Sequence, residues 1–504
     1  MKFKKHTIKI YTSLFLLSGL SIIFPISLHQ NMNTGDETPI PSLETSEGQV
    51  IDLNLGGNSS AITLDTTNDG NVDSLYMWGN NEYGQLGLGD NTDYNTPQKV
   101  FFNEDMPLFN LEQGSYHSGA AIDTTGDNNP DTLYMWGKNT FGELGLGSTK
   151  VDDFYNTPQE VTKLPEGTII ELELGEYTSS VIIDTTGDGM ADTLYTWGYN
   201  INGELGIGDF NYHDTPKEVT NLPEGELVDL EMGYHHGGIM IDTTEDGKAD
   251  SLYMWGSNFY NQIGNGGDNS DDVNIPEQIT INLAGDLIDL SLGGYSSSIS
   301  IDTTQDGKAD SLCVWGRNFS GQLGLGNNET YPIPEELTTL PEGTIINFEM
   351  GFSHSGATID TTGNGKADSL YMWGDNEFGQ LGLGDNTGYY SPQEIDMNGI
   401  GAPVNLQLGE NNTGLMIDTT GNGKGDTLYM WGANESGQLG LGDNIDYNTP
   451  QNIGFFIEFP SLSVKGPWFY IILVLVILFT IAIIIGLILF LFKFISKQTR
   501  TKIR

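Results

Sequence analysis

Trp78-Gly-Asn-Asn-Glu-Tyr-Gly-Gln-Leu-Gly-Leu-Gly89 decides the fold, because it does not stand alone. The pattern W-G-x-N-x-x-G-[QE]-L-G-L-G begins again, nearly unbroken, at Trp136, Trp197, Trp255, Trp315, Trp373 and Trp431. Successive tryptophans lie 58, 61, 58, 60, 58 and 58 residues apart, the regularity of an array of equivalent modules. Working outward within the first unit, Val50 to Leu55 alternates like a strand and Ser60 to Asp65 gives a second. Thr66 to Asp73 is turn-like, and Ser74-Leu-Tyr-Met-Trp78 is a third strand, rich in aromatic and apolar residues. Gly84 to Gly89 is a tight loop whose two leucines can pack inward. Thr96 to Val100 closes the unit, with Pro97 tolerable at an edge. Four short strands taken seven times predict an all-β seven-bladed β-propeller of four-stranded blades, in which radial repetition leaves only short edges.

These residues resemble the regulator-of-chromosome-condensation repeats, from about Val50 to Ile453. The resemblance implies a seven-bladed propeller. The fourth copy departs from the pattern, with Asn261 for the first glycine and Asn265 for the second leucine, so its loop is expected to be irregular. The founding member's activity, nucleotide exchange on a small nuclear GTPase with chromatin contact, is a poor match to the rest of the chain. Fold does not dictate function.

Both ends point to a membrane. Lys2, Lys4, Lys5 and Lys9 precede an apolar run from Ile10 to Ile26, the pattern of an export signal. Residues 1–29 are read as a signal peptide or an uncleaved signal-anchor, and 30–47 as a linker. Phe469 to Phe492 is almost wholly apolar, and about 20 such residues cross the hydrocarbon core. Residues 468–492 are therefore read as one transmembrane helix after a short linker at 459–467. The tail at 493–504 carries Lys493, Lys497, Arg500, Lys502 and Arg504, which the positive-inside rule keeps in the cytoplasm. The propeller, 48–458, is then extracellular. All 68 acidic residues lie between Asp36 and Glu458 against only 10 basic ones, a formal charge near −58 for that span. Such a field repels phosphate backbones, so no nucleic-acid partner is expected. With Cys313 the single cysteine, no intrachain disulfide is available.

Between the second and third strands every copy carries D-T-T-x-[DN]-[GN]-x-x-D. Oxygen donors at positions one, three, five and nine suit a hard calcium ion, and glycine at six suits the sharp bend. The nine-residue form resembles the hairpin calcium loops of integrin-α-type propellers. The candidate ligands are Asp65, Thr67, Asp69 and Asp73 in the first loop, and Asp123, Thr125, Asp127 and Asp131 in the second. Asp184, Thr186, Asp188 and Asp192 follow in the third, then Asp242, Thr244, Asp246 and Asp250 in the fourth. Asp302, Thr304, Asp306 and Asp310 form the fifth. The sixth and seventh use asparagine at position five: Asp360, Thr362, Asn364 and Asp368, then Asp418, Thr420, Asn422 and Asp426. The competing reading is a plain hairpin, since Asp-Gly is a preferred turn pair. That reading leaves the recurring aspartate at position nine unexplained.

His117, His236 and His354 share one repeat position and are expected to brace blades by hydrogen bonding, as the resemblance suggests. No acid, base or nucleophile breaks the repeat symmetry, and no basic residue follows the glycine runs to cradle phosphate. The chain is therefore expected to be a non-enzymatic receptor or adhesin-like module with a protein or glycan ligand, taken as a monomer. Three alternatives stand behind it: a structural calcium-binding surface protein, an extracellular hydrolase or lyase, and a guanine-nucleotide exchange factor by family analogy.

Overall fold

The computed structural model describes residues 49–453, except 68, 103–106, 149–152, 268–270 and 398. The expected signal, linkers, membrane helix and basic tail lie outside the described residues. Among the described residues no helix is long and apolar enough to cross a membrane.

Twenty-eight strands form seven four-stranded antiparallel sheets. In the first blade β1 (Gln49–Leu55), β2 (Ser59–Asp65), β3 (Ser74–Gly79) and β4 (Tyr94–Val100) pair in chain order, and the other six repeat this. The first strands of neighbouring blades touch one another all the way round the ring, so they are innermost and line a central channel. Their leucines turn sideways into the cores between blades. One such core joins Leu53, Leu55 and Trp78 of the first blade to Met416, Leu428, Met430 and Leu439 of the last.

The repeated motif is a latch between blades. Each tryptophan is fully buried, and its Nε1 donates to the main-chain carbonyl of the motif Gln or Glu one blade earlier. Trp136 reaches Gln85 at 2.8 Å and Trp197 reaches Glu143 at 2.9 Å. Trp78 closes the circle on Gln438 at 2.8 Å. The glycine two residues beyond that carbonyl has to be glycine. A Cβ at Gly87 (φ +68°) would stand 2.9 Å from the Trp136 indole nitrogen.

The sequence leaves the closure of the ring open, with residues around Leu43 to Val50 or Asn452 to Phe459 able to supply a sealing strand. The described residues close it without a borrowed strand. Every blade is built from its own four consecutive strands, and the first and last blades meet through the same latch and core as any other pair. The irregular fourth loop also keeps its shape, because Asn261 takes the left-handed conformation (φ 62°) that glycine holds in the other copies.

Candidate binding surfaces

In an up-and-down blade the turns between strands one and two and between strands three and four emerge on one face. The loop between strands two and three emerges on the other. The seven acidic loops therefore share a face. In each, the position-one aspartate is buried against its own loop and accepts the position-six N–H at 2.6–2.8 Å. The position-nine aspartate accepts the hydroxyl of the position-two threonine at 2.5–2.8 Å. It also takes the position-three N–H at 3.1–3.2 Å. These bonds supply a reason for its recurrence that the plain-turn reading lacked.

Of the predicted ligands, the oxygens of positions one and three come together, while position nine meets position three through the latter's N–H. The position-three hydroxyl lies 3.2–3.3 Å from a position-one oxygen in every loop. Position five instead folds back on the position-seven N–H in six loops. Asp246 is the exception, because the position-seven N–H of Lys248 goes to Asp242 Oδ2 at 3.2 Å instead. Against the upward push of burial, N–H donors hold Asp123, Asp184, Asp242, Asp302 and Asp360 below the usual carboxylate range. Asp418 falls to about 2, since burial is outweighed by Gly423 and Gly421 N–H with help from Lys366. Among the described residues no three His, Cys, Asp or Glu side chains are grouped to hold one metal ion.

The opposite face is aromatic, and it departs from the repeat symmetry. Lys138 Nζ sits 4.7, 4.7 and 4.8 Å from the ring centres of Tyr83, Tyr116 and Tyr177. Arg317 lies 5.4–5.9 Å from Phe319, Tyr260, Tyr295 and Phe352. Both are within cation–π range. Phe141, Tyr199 and Tyr212 continue the cluster by edge and stacked contacts. Phe259 and Phe319 are 64% and 53% exposed. Blades one and seven place Asn58 and Asn411 where blades two, three and five carry Tyr116, Tyr177 and Tyr295.

The three histidines brace blades as expected. Their Nε2 atoms meet Ser179, Ser297 and Thr413 hydroxyls of the next blade at 2.9, 3.0 and 3.2 Å. Burial drives each imidazole down to about 3, which keeps it neutral.

The channel holds a group of acids that the reading of the sequence passed over. In six of the seven first strands a bulge leaves Ile51, Phe109, Ile170, Val228, Ile288 and Ile346 exposed at the mouth on the acidic-loop side. One residue deeper come Asp52, Glu171, Asp229 and Asp289, with asparagines 110, 347 and 405 completing the ring. Two residues deeper again come Glu112, Glu173, Glu231 and Glu349, completed by Asn54, Ser291 and Gln407. Burial raises all eight acids and mutual repulsion adds to it for most. Glu112 and Glu171 reach about 8, Asp289 about 7 and Asp229 about 6. Glu173, Glu231 and Glu349 stand well above the usual range, and Asp52 is raised too. Glu349 feels Glu112 and Asp229 from across the ring, so these side chains converge on one axis. Beyond them the channel narrows to a glycine-rimmed cavity of about 110 Å³.

Comparison with known proteins agrees with this architecture. The chain is 30% identical over 418 residues to the ultraviolet-B receptor UVR8 of Arabidopsis thaliana, covering 83% of each protein. It is 24% identical over 385 residues to the human E3 ubiquitin-protein ligase HERC2, covering 75% of this chain but 7% of that one. Among solved structures, human WBSCR16 superposes with a TM-score of 0.59 at 20% identity, covering 73% of this chain and 86% of that one. Prp20p of Saccharomyces cerevisiae gives 0.59 at 17%, covering 82% and 88%. At such identities these two show the fold alone. The regulator of chromosome condensation (RCC1) repeat model matches at 73–121, 131–182, 192–240, 249–299, 310–358, 367–412 and 426–466, and the chain belongs to that family.

Proposed function

We propose that the propeller binds a protein partner through its aromatic face and is held outside the cell by a single membrane helix. The observation that carries the binding role is the cluster around Lys138 and Arg317. Exposed Tyr and Phe with Arg is the composition of interface hot spots. Here it is confined to part of a ring whose scaffold residues repeat. Relatives of the same fold bind proteins: yeast RCC1 (Prp20) has been crystallised bound to Kap60, and Prp20p has been described with binding to Gsp1p and histones. The membrane role is supported by the apolar run Phe469 to Phe492 and the basic tail after it. The acidic loops are proposed to hold calcium that stabilises the ring. Their support is the pairing of the position-three hydroxyl with a position-one carboxylate oxygen in all seven loops, with the position-nine carboxylate held at the base of the same loop.

The test places a photo-crosslinking residue at Phe259 or Phe319, and at Asp188 on the other face, in the full chain on intact cells. A polypeptide adduct at the first two positions, lost in Lys138→Ala/Arg317→Ala, is expected. Adducts only at Asp188 would overturn the assignment of the face, and a non-polypeptide adduct would point to a glycan. External protease should remove a propeller epitope while sparing a tag after Arg504; protection of the propeller until lysis would overturn the topology.

A further inference from the structure

Eight carboxyl groups face the channel, and none of the fourteen positions in its two polar rings is Lys or Arg. Acids alone do not make a site. Here two neighbouring amides add something the acids do not. Asn54 is 7% exposed, and its Nδ2 donates to Glu112 Oε2 at 2.7 Å. Its Oδ1 is buried without a hydrogen-bond partner. One blade round, Asn405 Nδ2 donates to Asp52 Oδ1 at 2.9 Å, and Asn405 Oδ1 is likewise buried and unpartnered. Each amide spends its donor on a carboxyl group, which turns its carbonyl oxygen away from that group. Two orphan acceptors thus lie among carboxyl groups in adjoining blades. A buried acceptor left unmade is costly, and a second acceptor cannot satisfy it. What would satisfy both amides and acids is a ligand that brings N–H donors and positive charge together.

The geometry points to the channel as a binding site for an aliphatic primary ammonium, inserted through the apolar mouth with its head among Asn54, Asn405, Asp52 and Glu112. Three features select this chemistry. An ammonium group offers three donors and no acceptor. Ile51 and Phe109 at the mouth suit a methylene stem, as lysine stems lie along apolar surface while their heads reach polar groups. The two polar rings are two residues apart along each strand, about 7 Å, so a second ammonium on the same stem can meet the deeper ring. A compact metal ion fits less well, since among the described residues no three acidic or histidine side chains are grouped for one. The source is either a free polyamine or a lysine side chain projected by a partner protein.

The ligand also discharges the strain of the site. Its charge favours ionised carboxyls, so binding releases protons. The groups facing it are the channel acids named above, with Lys248 and Lys424 outside the rings on the acidic-loop side, bonded to Asp286 and Gln49. Affinity therefore rises as pH climbs from 6 toward 8, where Asp229, Asp289, Glu112 and Glu171 titrate.

The experiment titrates spermidine into the full chain in detergent by calorimetry, at fixed ionic strength and in two buffers of different ionisation heat. A saturable site near one per chain is expected, with proton release and at least tenfold weaker binding in Glu112→Gln/Glu173→Gln. The loop variant Asp188→Asn should bind as the parent does. A lysine-bearing peptide competing with spermidine, where its acetyl-lysine twin does not, identifies the side-chain source; absence of competition identifies the free amine. Loss in Asp188→Asn with retention in the channel variant would assign the effect to the acidic surface and overturn the proposal. So would calcium or magnesium displacing spermidine at equal concentration, or the absence of a saturable isotherm at pH 8. The glutamine changes remove the ionisable carboxyls and leave side-chain volume nearly unchanged. Should that double variant not fold, proton release by the parent decides the matter.

Discussion

Raising the pH from 6 to 9 should destabilise this propeller, against the usual expectation for so acidic a chain. Surface carboxylates are already ionised at pH 6, so their mutual repulsion no longer changes. The channel acids are still titrating. A carboxyl whose pKa is raised on folding binds a proton more tightly in the native state. Its stabilisation is complete below the unfolded value and is lost as pH rises through the folded one. Asp289 moves from 3.8 to about 7, because burial and then Asp229 disfavour its charge. Each unit is worth about 1.4 kcal/mol; most of the loss for Asp289 has occurred between its unfolded value and pH 6, and the last unit, about 1.4 kcal/mol, is lost between pH 6 and 9. For a domain of this size, with unfolding entropy near 2 cal/mol/K per residue, that lowers the melting temperature by about 2 °C. Glu112 and Glu171 at about 8 extend the fall, although coupled groups do not add. The assay is thermal unfolding of the full chain in detergent, followed by near-ultraviolet dichroism, at constant ionic strength from pH 5 to 9. Asp289→Asn should flatten the profile above pH 6 and melt higher than the parent at pH 9. A parent profile that is flat or rising over that window would refute the reasoning. So would an Asp289→Asn profile parallel to the parent's. At the acid end the sign reverses. Loop aspartates such as Asp418, at about 2, stabilise above their unfolded value and lose that contribution as pH falls through their folded one.

Trp197→Phe removes the N–H that reaches the Glu143 carbonyl and leaves space beside Gly145, costing about 2–4 kcal/mol in a urea titration; an unchanged midpoint would refute the latch. Gln305→Gly should stabilise by about 1 kcal/mol, because Gln305 is held at φ 62° where loops six and seven use glycine; no gain would show that the strain is relieved elsewhere. Calcium near millimolar should raise the melting temperature beyond ionic-strength-matched sodium or magnesium, given the affinity of about 10⁻⁴–10⁻³ M for extracellular sites. Asp184→Ala/Asp188→Ala/Asp192→Ala should remove about one ion, and equal response to calcium and sodium would make the loops turns alone.

The seven blades were legible because the tryptophan latch tolerates almost no variation. A fully buried indole needs its acceptor, and the facing glycine has no room for a Cβ. The same rigidity made the histidine braces readable. The loops were half legible. Aspartate at position nine recurs in every copy, and from sequence alone only a cation accounted for it. The structure adds the threonine hydroxyl and the two N–H groups it binds. The ring closure stayed open because a strand borrowed from either end is easy to draw at the chain level. The first-to-last interface instead uses Trp78, Gln438 and Leu53 as every other interface uses their counterparts. The channel was missed for a different reason. Alternating polar residues in Val50-Ile-Asp-Leu-Asn-Leu55 read as a solvated strand face, yet in a propeller the first strand has no such face. One side packs into the neighbouring blade and the other meets six copies of itself. Once seven blades are inferred, Asp52, Glu112, Glu171, Glu173 and their partners must crowd one axis. That consequence was available from the sequence.

Repetition in this chain separates what holds the ring from what the ring is for. Residues that must be alike in all seven copies, the indoles, the glycines packed against them and the paired loop aspartates, are committed to hydrogen bonds or close contacts inside the scaffold. Positions free to differ are those that meet no neighbouring blade's latch. They fall in two places, the turns of the aromatic face and the polar rings of the channel. At the first, Lys138 and Arg317 each occupy a site that other blades give to Asn80, Tyr199, Ser257, Asp375 or Ala433. At the second, acids alternate irregularly with amides and one serine, although a neutral ring would be more stable by the linkage argument above. Selection for stability alone would not retain eight half-buried acids around one channel where Asn and Gln already fit in other blades. Their retention is intelligible if the channel and the aromatic face each meet a ligand, the first through charge and the second through exposed rings.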